Sequence, residues 1–222
     1  MKHDDFGDRM KELEGRYTSA RVPASDYLCV RIDGKGFSKF TKGFVKPFDE
    51  RLTYAMVETT EFLVEETHAN IGYTQSDEIT LIYSVGEKAN EHIFGGKVSK
   101  INSILASMAT ATFDEVIRDH TDKRAFFDCR AWGVPTNIEA SNVLLWRVQD
   151  ARKNSVSAMF RWTLGSKAMH GLYQTQMKAK MLEAGHDWND LIDEYKYGTY
   201  VKRVTQTIPL DPAILARIPL DN

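Results

Sequence analysis

This 222-residue sequence is poor in several features, and each shortage removes a class of protein from consideration. Its only cysteines, Cys29 and Cys129, lie far apart in strand-like runs, which argues for buried thiols and against a disulfide framework or a zinc site built from clustered Cys and His. No apolar run approaches the roughly 20 residues needed to cross a bilayer. The opening segment MKHDDFGDRMKELEGR is charged where a signal peptide needs an apolar stretch. The expectation is a soluble cytoplasmic protein with no membrane partner. Internal repeats, low-complexity tracts and a clear interdomain linker are all missing. So are GxxxxGK[ST], HExxH and GxSxG, which thins the competing explanations for any charged cluster.

What is present suits one sizeable folded unit: 42% hydrophobic residues over this length can bury a real core. The net charge of -2 excludes a chain that holds nucleic acid by bulk charge alone, yet the charge is locally separated. From Arg31 to Lys46 there are five Lys/Arg against one acid, whereas Asp49 to Glu66 carries six acids against one Arg. The acids of the second stretch read as a solvated helix face. A further basic cluster runs from Lys196 to Arg203.

Residues 27–33 (YLCVRID) read as a strand with Leu28, Val30 and Ile32 on one face and Cys29, Arg31 and Asp33 on the other. Pro47 then opens an amphipathic helix through Phe48, Leu52, Ala55, Met56, Thr59 and Leu63 that ends near His68. Strands at 71–74 and 79–85 flank a polar hairpin tip, Gln75-Ser76-Asp77-Glu78. A long helix over 91–119 and a strand at 126–132 complete β-α-β-β-α-β, the order of a ferredoxin-like α+β fold. Helices are expected over 138–162, 166–184 and 186–195, and the tail after Pro209 is expected to be peripheral. Residues 1–135 form the palm-like unit in this reading and 136–222 a helical region packed on it. Trp132, Trp146 and Trp162 read as core, and no role is assigned to His68, His92, His120 or His186.

In that topology the third strand lies between the first two, so the end of strand one and the hairpin tip leave the sheet on one side. Asp33 and Asp77 are thereby brought within a few ångströms, where they repel unless protonated or bridged by a cation. Paired hard oxygen donors suit Mg²⁺, and two such ions about 4 Å apart are the apparatus of in-line phosphoryl displacement. Gly34 and Gly36 let backbone groups approach a phosphate or metal, while Lys35, Lys39, Lys42 and Lys46 supply neutralising charge.

Four blocks carry a family resemblance, RIDGKGFSKF with GFVKPFD (31–49), GYTQSDE (72–78), FFDCRAWGVP (126–135) and WRVQDARKNS (146–155), and KYGTYVKR (196–203) adds a weaker match. They resemble the tRNA-histidine guanylyltransferase family, in particular its guanylyltransferase-like branch. The resemblance implies a ferredoxin-like βαββαβ polymerase palm with added C-terminal helices, working in the 3′-to-5′ direction on the 5′ end of tRNA. ATP or GTP activates the 5′-phosphate, and a nucleoside triphosphate is then added. By motif position, Asp33 and Asp77 would hold two Mg²⁺ with the Gly34 carbonyl, and Glu78 would support them. Arg31, Lys35, Gly36, Phe37, Lys46, Ser76, Lys100 and Arg130 would face triphosphate or the RNA end. Asp150, Arg152 and Asn154 would lie near nucleotide or RNA. A homotetramer is implied as well. The family's eukaryotic pattern has a histidine in the fourth block that is absent here, which favours templated 5′-end repair over dedicated guanylate addition. Two other readings stay open: a nucleotidyl cyclase of the same palm type, and a non-catalytic RNA-binding module.

Overall fold

The computed structural model describes residues 5–85, 92–203 and 206–209. The charged start forms a helix, α1 (Asp5–Thr18), none of whose residues is buried. Strand β1 (Tyr27–Gly34) runs one residue past Asp33 and is followed by a short helical turn, α2 (Phe37–Phe40). Then come α3 (Glu50–Thr67), β2 (Ile71–Gln75), β3 (Glu78–Tyr83), α4 (Val98–Ile117) and β4 (Phe127–Val134). The C-terminal part supplies α5 (Asn137–Leu164), α6 (Gln174–Glu183), α7 (Asp193–Tyr197), β5 (Thr199–Lys202) and β6 (Gln206–Pro209).

The sheet order is β4-β1-β3-β2-β5-β6, with every neighbouring pair antiparallel. The first four strands realise the ferredoxin-like α+β fold, with β3 between β1 and β2 as the crossover argument requires. The period-two alternation of β1 splits as read. Leu28, Val30 and Ile32 join the cluster under α3 and α4, while Cys29 joins Ile71, Tyr73 and Ile82 under α5. Both cysteines are free, and burial pushes each thiol up to about 12, so neither is a reactive thiolate at neutral pH.

Several boundaries differ from the sequence reading for identifiable reasons. Helix α3 starts at Glu50 and not at Pro47, because the buried Asp49 supplies the cap. Phe48 leaves the helix pattern to stack on Tyr195, ring centroids 4.6 Å apart. The long helix begins only at Val98, since Phe94, Gly95 and Gly96 all have positive φ and break the run. Gly96 is held there by accepting the Val22 N–H at 2.9 Å. Two helical expectations after Gly165 resolve into single turns plus α6 and α7, and KYGTYVKR contains a strand, β5, that pairs with β2. His92 is buried, its Nε2 within 3.1 Å of the Pro23 carbonyl and 2.9 Å of that of Asp26. Trp146 and Trp162 are half exposed and not core. The tail after Pro209 lies outside the described residues.

Asp49, one of the acids that read as a solvated face, instead organises the approach to α3. Its Oδ1 accepts the Arg51 N–H at 3.0 Å, its Oδ2 accepts the Val45 N–H at 2.7 Å, and the Arg51 guanidinium donates to both oxygens. The Arg51 hydrogen bond outweighs burial and, with the Val45 and Arg51 amides, holds the carboxyl at about 2 against an ordinary 3.8. A depressed carboxyl stabilises the fold above its unfolded value, and that contribution is lost as pH falls through the folded one. Asp49→Ala should therefore cost about 1–2 kcal/mol in urea unfolding at pH 7. The gap from wild type should close as pH falls from 3.8 to about 2.

Candidate active site

One end of the α5 face of the sheet is polar. Across the strands Arg31 pairs with Thr80 and Arg130, and Asp33 pairs with Glu78 and Asp128, so these side chains share a face. The β2–β3 connection is a two-residue turn, Ser76-Asp77, closed by the Gln75–Glu78 pair. Ser76 takes φ of 57°, a left-handed conformation that costs a non-glycine residue roughly 1 kcal/mol. Its hydroxyl donates to Asp77 Oδ1 at 3.1 Å, and the Asp77 carbonyl accepts the Gly34 N–H at 2.9 Å. The turn is thus tied directly to the end of β1.

The Gly-Lys-Gly-Phe segment is set from below by aromatic packing. Phe37 lies 4.9 Å from Phe40, 5.5 Å from Phe113 and 5.3 Å from Phe127 between ring centroids. A Cβ on Gly34 would meet the Phe37 ring at 2.3 Å, so glycine is required for the ring to pass beneath the turn. Gly36 meets no neighbour and is needed for its φ of 66°.

On the other side stands α5. Arg147, 8% exposed by its neighbours' packing in spite of its charge, donates Nε to Glu78 Oε1 at 2.5 Å and Nη2 to Glu78 Oε2 at 2.8 Å. Its Nη2 also reaches Asp150 Oδ2 at 3.0 Å, which accepts from Asn154 Nδ2 at 3.3 Å. Burial raises the Glu78 carboxyl and Arg147 opposes it. The Asp33 carboxyl is also raised, by burial first and then by the Asp128 charge, against Arg31, Arg130 and Arg147. Asp77 is raised by burial and by Asp33, with the Ser76 hydroxyl pulling the other way. Asp33 accepts no hydrogen bond from any described residue.

A cleft of ≈ 570 Å³ opens between α3, the turn and α5. Of the sequence-predicted residues, Asp33, Phe37, Lys46, Ser76, Asp77, Glu78, Asp150 and Asn154 line it. Lys46 Nζ sits 3.2 Å from the Thr41 hydroxyl. Gly34, Lys35 and Gly36 form the turn behind Asp33, and Arg31 and Arg130 lie on the sheet beside it, outside the cleft wall. Arg152 is exposed on α5 and does not line the cleft. Lys100 is not brought to this edge at all: it lies in the first turn of α4, over Phe94, near the chain that precedes β1. Sequence reasoning missed Arg161, Glu194 and the stacked Phe48–Tyr195 pair in the cleft wall. A signal for Arg161 existed, since Arg147, Asp150, Asn154 and Arg161 recur at helical spacing. No local signal joins Phe48 to Tyr195. Among the described residues no group of three or more His, Cys, Asp or Glu has metal-holding geometry.

Removing one partner from a buried ion pair leaves the other charge uncompensated. Arg147→Met should therefore lower unfolding free energy by about 3–5 kcal/mol, and adding Glu78→Leu should recover most of it in the same denaturant titration.

Comparison with known proteins identifies the site's relatives. The tRNA(His) guanylyltransferase family model matches residues 7–135. An uncharacterized protein of Acanthamoeba polyphaga mimivirus is 33% identical over 90% of this chain and 78% of its own length. The tRNA(His) guanylyltransferase of Kluyveromyces lactis is 26% identical over 83% of this chain and 86% of its own. A solved bacterial tRNA(His) guanylyltransferase-like protein in complex with ATP superposes with a TM-score of 0.86 at 37% identity, covering 92% of this chain and 91% of that one. The corresponding GTP complex gives 0.77 at 37% identity, over 90% and 84%. No helix among the described residues is long and apolar enough to cross a membrane. By the matched residues, the fold and the polar strand edge together, this chain belongs to the tRNA(His) guanylyltransferase family of nucleotidyltransferases.

Proposed function

We propose that the chain adds nucleotides to the 5′ end of tRNA in the 3′-to-5′ direction, by template, using magnesium, after activation of a 5′-monophosphate by ATP or GTP. The observation that carries this reading is the pair Asp33 and Asp77. Both line a cleft whose walls also bear Lys46, Arg147 and Arg161, and Asp33 accepts no hydrogen bond from any described residue. ATP and GTP complexes of bacterial relatives support a triphosphate in that cleft.

The residues fit magnesium. Asp33 and Asp77 are hard oxygen donors whose carboxyls are raised by burial first, then by the Asp128 charge at Asp33 and by the Asp33 charge at Asp77, so a cation there would relieve both. Two carboxylates, with the Gly34 carbonyl that the family resemblance adds, also suit an ion that keeps several waters and takes the rest of its shell from phosphate. Bound there, magnesium would withdraw charge from the transferring phosphoryl group. Glu78 is engaged by Arg147 and acts as the strut behind the pair.

In the first step an oxygen of the RNA 5′-phosphate attacks the α-phosphorus of ATP or GTP and pyrophosphate leaves. In the second, the 3′-oxygen of the incoming nucleotide attacks the activated 5′-phosphorus and the nucleoside monophosphate leaves. Lys46 and Arg161 hold phosphate charge on the cleft walls, and Asp150 and Asn154 on α5 contact nucleotide. The 5′ end approaches over Arg31 and Arg130. The assembly would be a homotetramer, as the family resemblance implies.

The test is incubation with a 5′-truncated, 5′-monophosphorylated tRNA, ATP and each labelled nucleoside triphosphate in turn. Label should enter only with the nucleotide complementary to the opposing strand. Asp33→Ala and Asp77→Ala should each lose on the order of 10²-fold or more in rate. Undiminished transfer in either variant would sink the proposal, and cyclic nucleotide formed without RNA would point to a cyclase.

A further inference from the structure

Trp146 lies one residue before the buried Arg147, yet its side chain is 50% exposed and belongs to none of the three apolar clusters. A large indole at such a place is not explained by core packing. It is held by cations: the Arg147 guanidinium is 4.4 Å from the ring centroid and that of Arg31 is 5.6 Å. Both guanidiniums also converge on Glu78, Arg147 at 2.5 Å and Arg31 at 3.9 Å, so they meet the indole from the sheet side. The ring is thereby fixed in orientation with its outer side toward solvent.

The surroundings say what such a platform would hold. Trp146 does not line the cleft, whereas its neighbours Arg147 and Asp150 do. The sheet beneath the indole carries Arg31 and, directly across from it on β4, the exposed Arg130. Asp33 is next on the same face and also lines the cleft, so the carboxylates stand between the cleft and this aromatic, basic ledge. Arg130 is paired on this ledge with the exposed Asp128 at 3.1 Å, a surface contact that an RNA phosphate can replace. A flat exposed ring beside such exposed cationic charge binds a nucleobase by stacking and its phosphate by charge, without regard to sequence.

We propose that Trp146 is the stacking platform for the nucleobase at the 5′ end of the acceptor RNA, with Arg130 taking the adjoining phosphate. The proposal rests on the function given above and adds the seat of the acceptor. Sequence-tolerant stacking suits an enzyme whose 5′-terminal base changes with every addition.

The test measures binding apart from turnover. A 3′-labelled, 5′-monophosphorylated truncated tRNA is titrated with wild type, Trp146→Ala and Trp146→Phe, using the intact RNA and one whose 5′-terminal nucleotide is abasic. ATP affinity and thermal midpoint are measured in parallel. Trp146→Ala should weaken intact RNA on the order of tenfold, with Trp146→Phe weakened less and ATP affinity unchanged. Wild type should bind the abasic RNA as poorly as Trp146→Ala binds the intact one, and the two losses should not add. Unchanged RNA affinity in Trp146→Ala, additive losses, or a parallel loss of ATP affinity overturns the platform while leaving the proposed reaction standing. Failure of wild type to bind the RNA at all overturns both.

Discussion

The buried bidentate pair between Arg147 and Glu78 is the constraint around which the rest of this site is arranged. It joins the middle of α5 to the first residue of β3, where the sheet would otherwise present a desolvated carboxylate with only Arg31, 3.9 Å away, to offset it. Glu78 is register partner to Asp33 and adjacent in sequence to Asp77, so a clamp on it fixes the strand ends that carry both aspartates. The same guanidinium positions Asp150 on the cleft side and supports the Trp146 ring on the other. One side chain thus sets the relation of helix, hairpin and indole. Its net worth to stability is the small remainder of large Coulombic and desolvation contributions, whereas its absence would expose the whole cost of burying Glu78.

The second support is apolar and lies beneath the turn. Phe37, Phe40, Phe113 and Phe127 pack edge-on and tilted around one another, so the segment after β1 is pinned to α4 and β4 by side chains that contribute no chemistry. Gly34 is the point where backbone and ring must come closest. The polar upper surface of the turn can be displayed only because its underside is filled. The strained Ser76 on the neighbouring hairpin is held in the same way, by a backbone hydrogen bond across to Gly34 through Asp77.

Much of this was legible in the sequence because it is written in short periods. The alternation of β1, the helical spacing of α3 and α5 and the β-α-β-β-α-β order depend on neighbours a few positions apart, and they were enough to bring Asp33 and the hairpin together. What escaped depends on which partners a side chain or strand actually meets, some close in sequence and some distant. Asp49 looks like one more acid of a solvated face until Val45 and Arg51 close on it. KYGTYVKR looks like a basic cluster until β2 offers it an edge. Motif position alone groups Lys100 with phosphate ligands, but the Gly95-Gly96 break starts α4 at the far end of the sheet and places it away from the carboxylates within the chain. Trp146 illustrates the converse error, since hydrophobicity alone predicts burial and cannot register that two arginines occupy its inner side.

The cleft draws its lining from Asp33 to Thr199, and this has a consequence for biosynthesis. While only the first half of the chain has emerged from the ribosome, both aspartates can already be aligned by the hairpin and β1, but one wall is missing and Glu78 has only Arg31, at 3.9 Å, as counter-ion. That nascent form lacks Arg147 and Arg161, two of the cations that line the finished cleft. Contacts of such long sequence separation also form late and slowly. The cleft should therefore be complete only after α5 and the Tyr195 segment have docked.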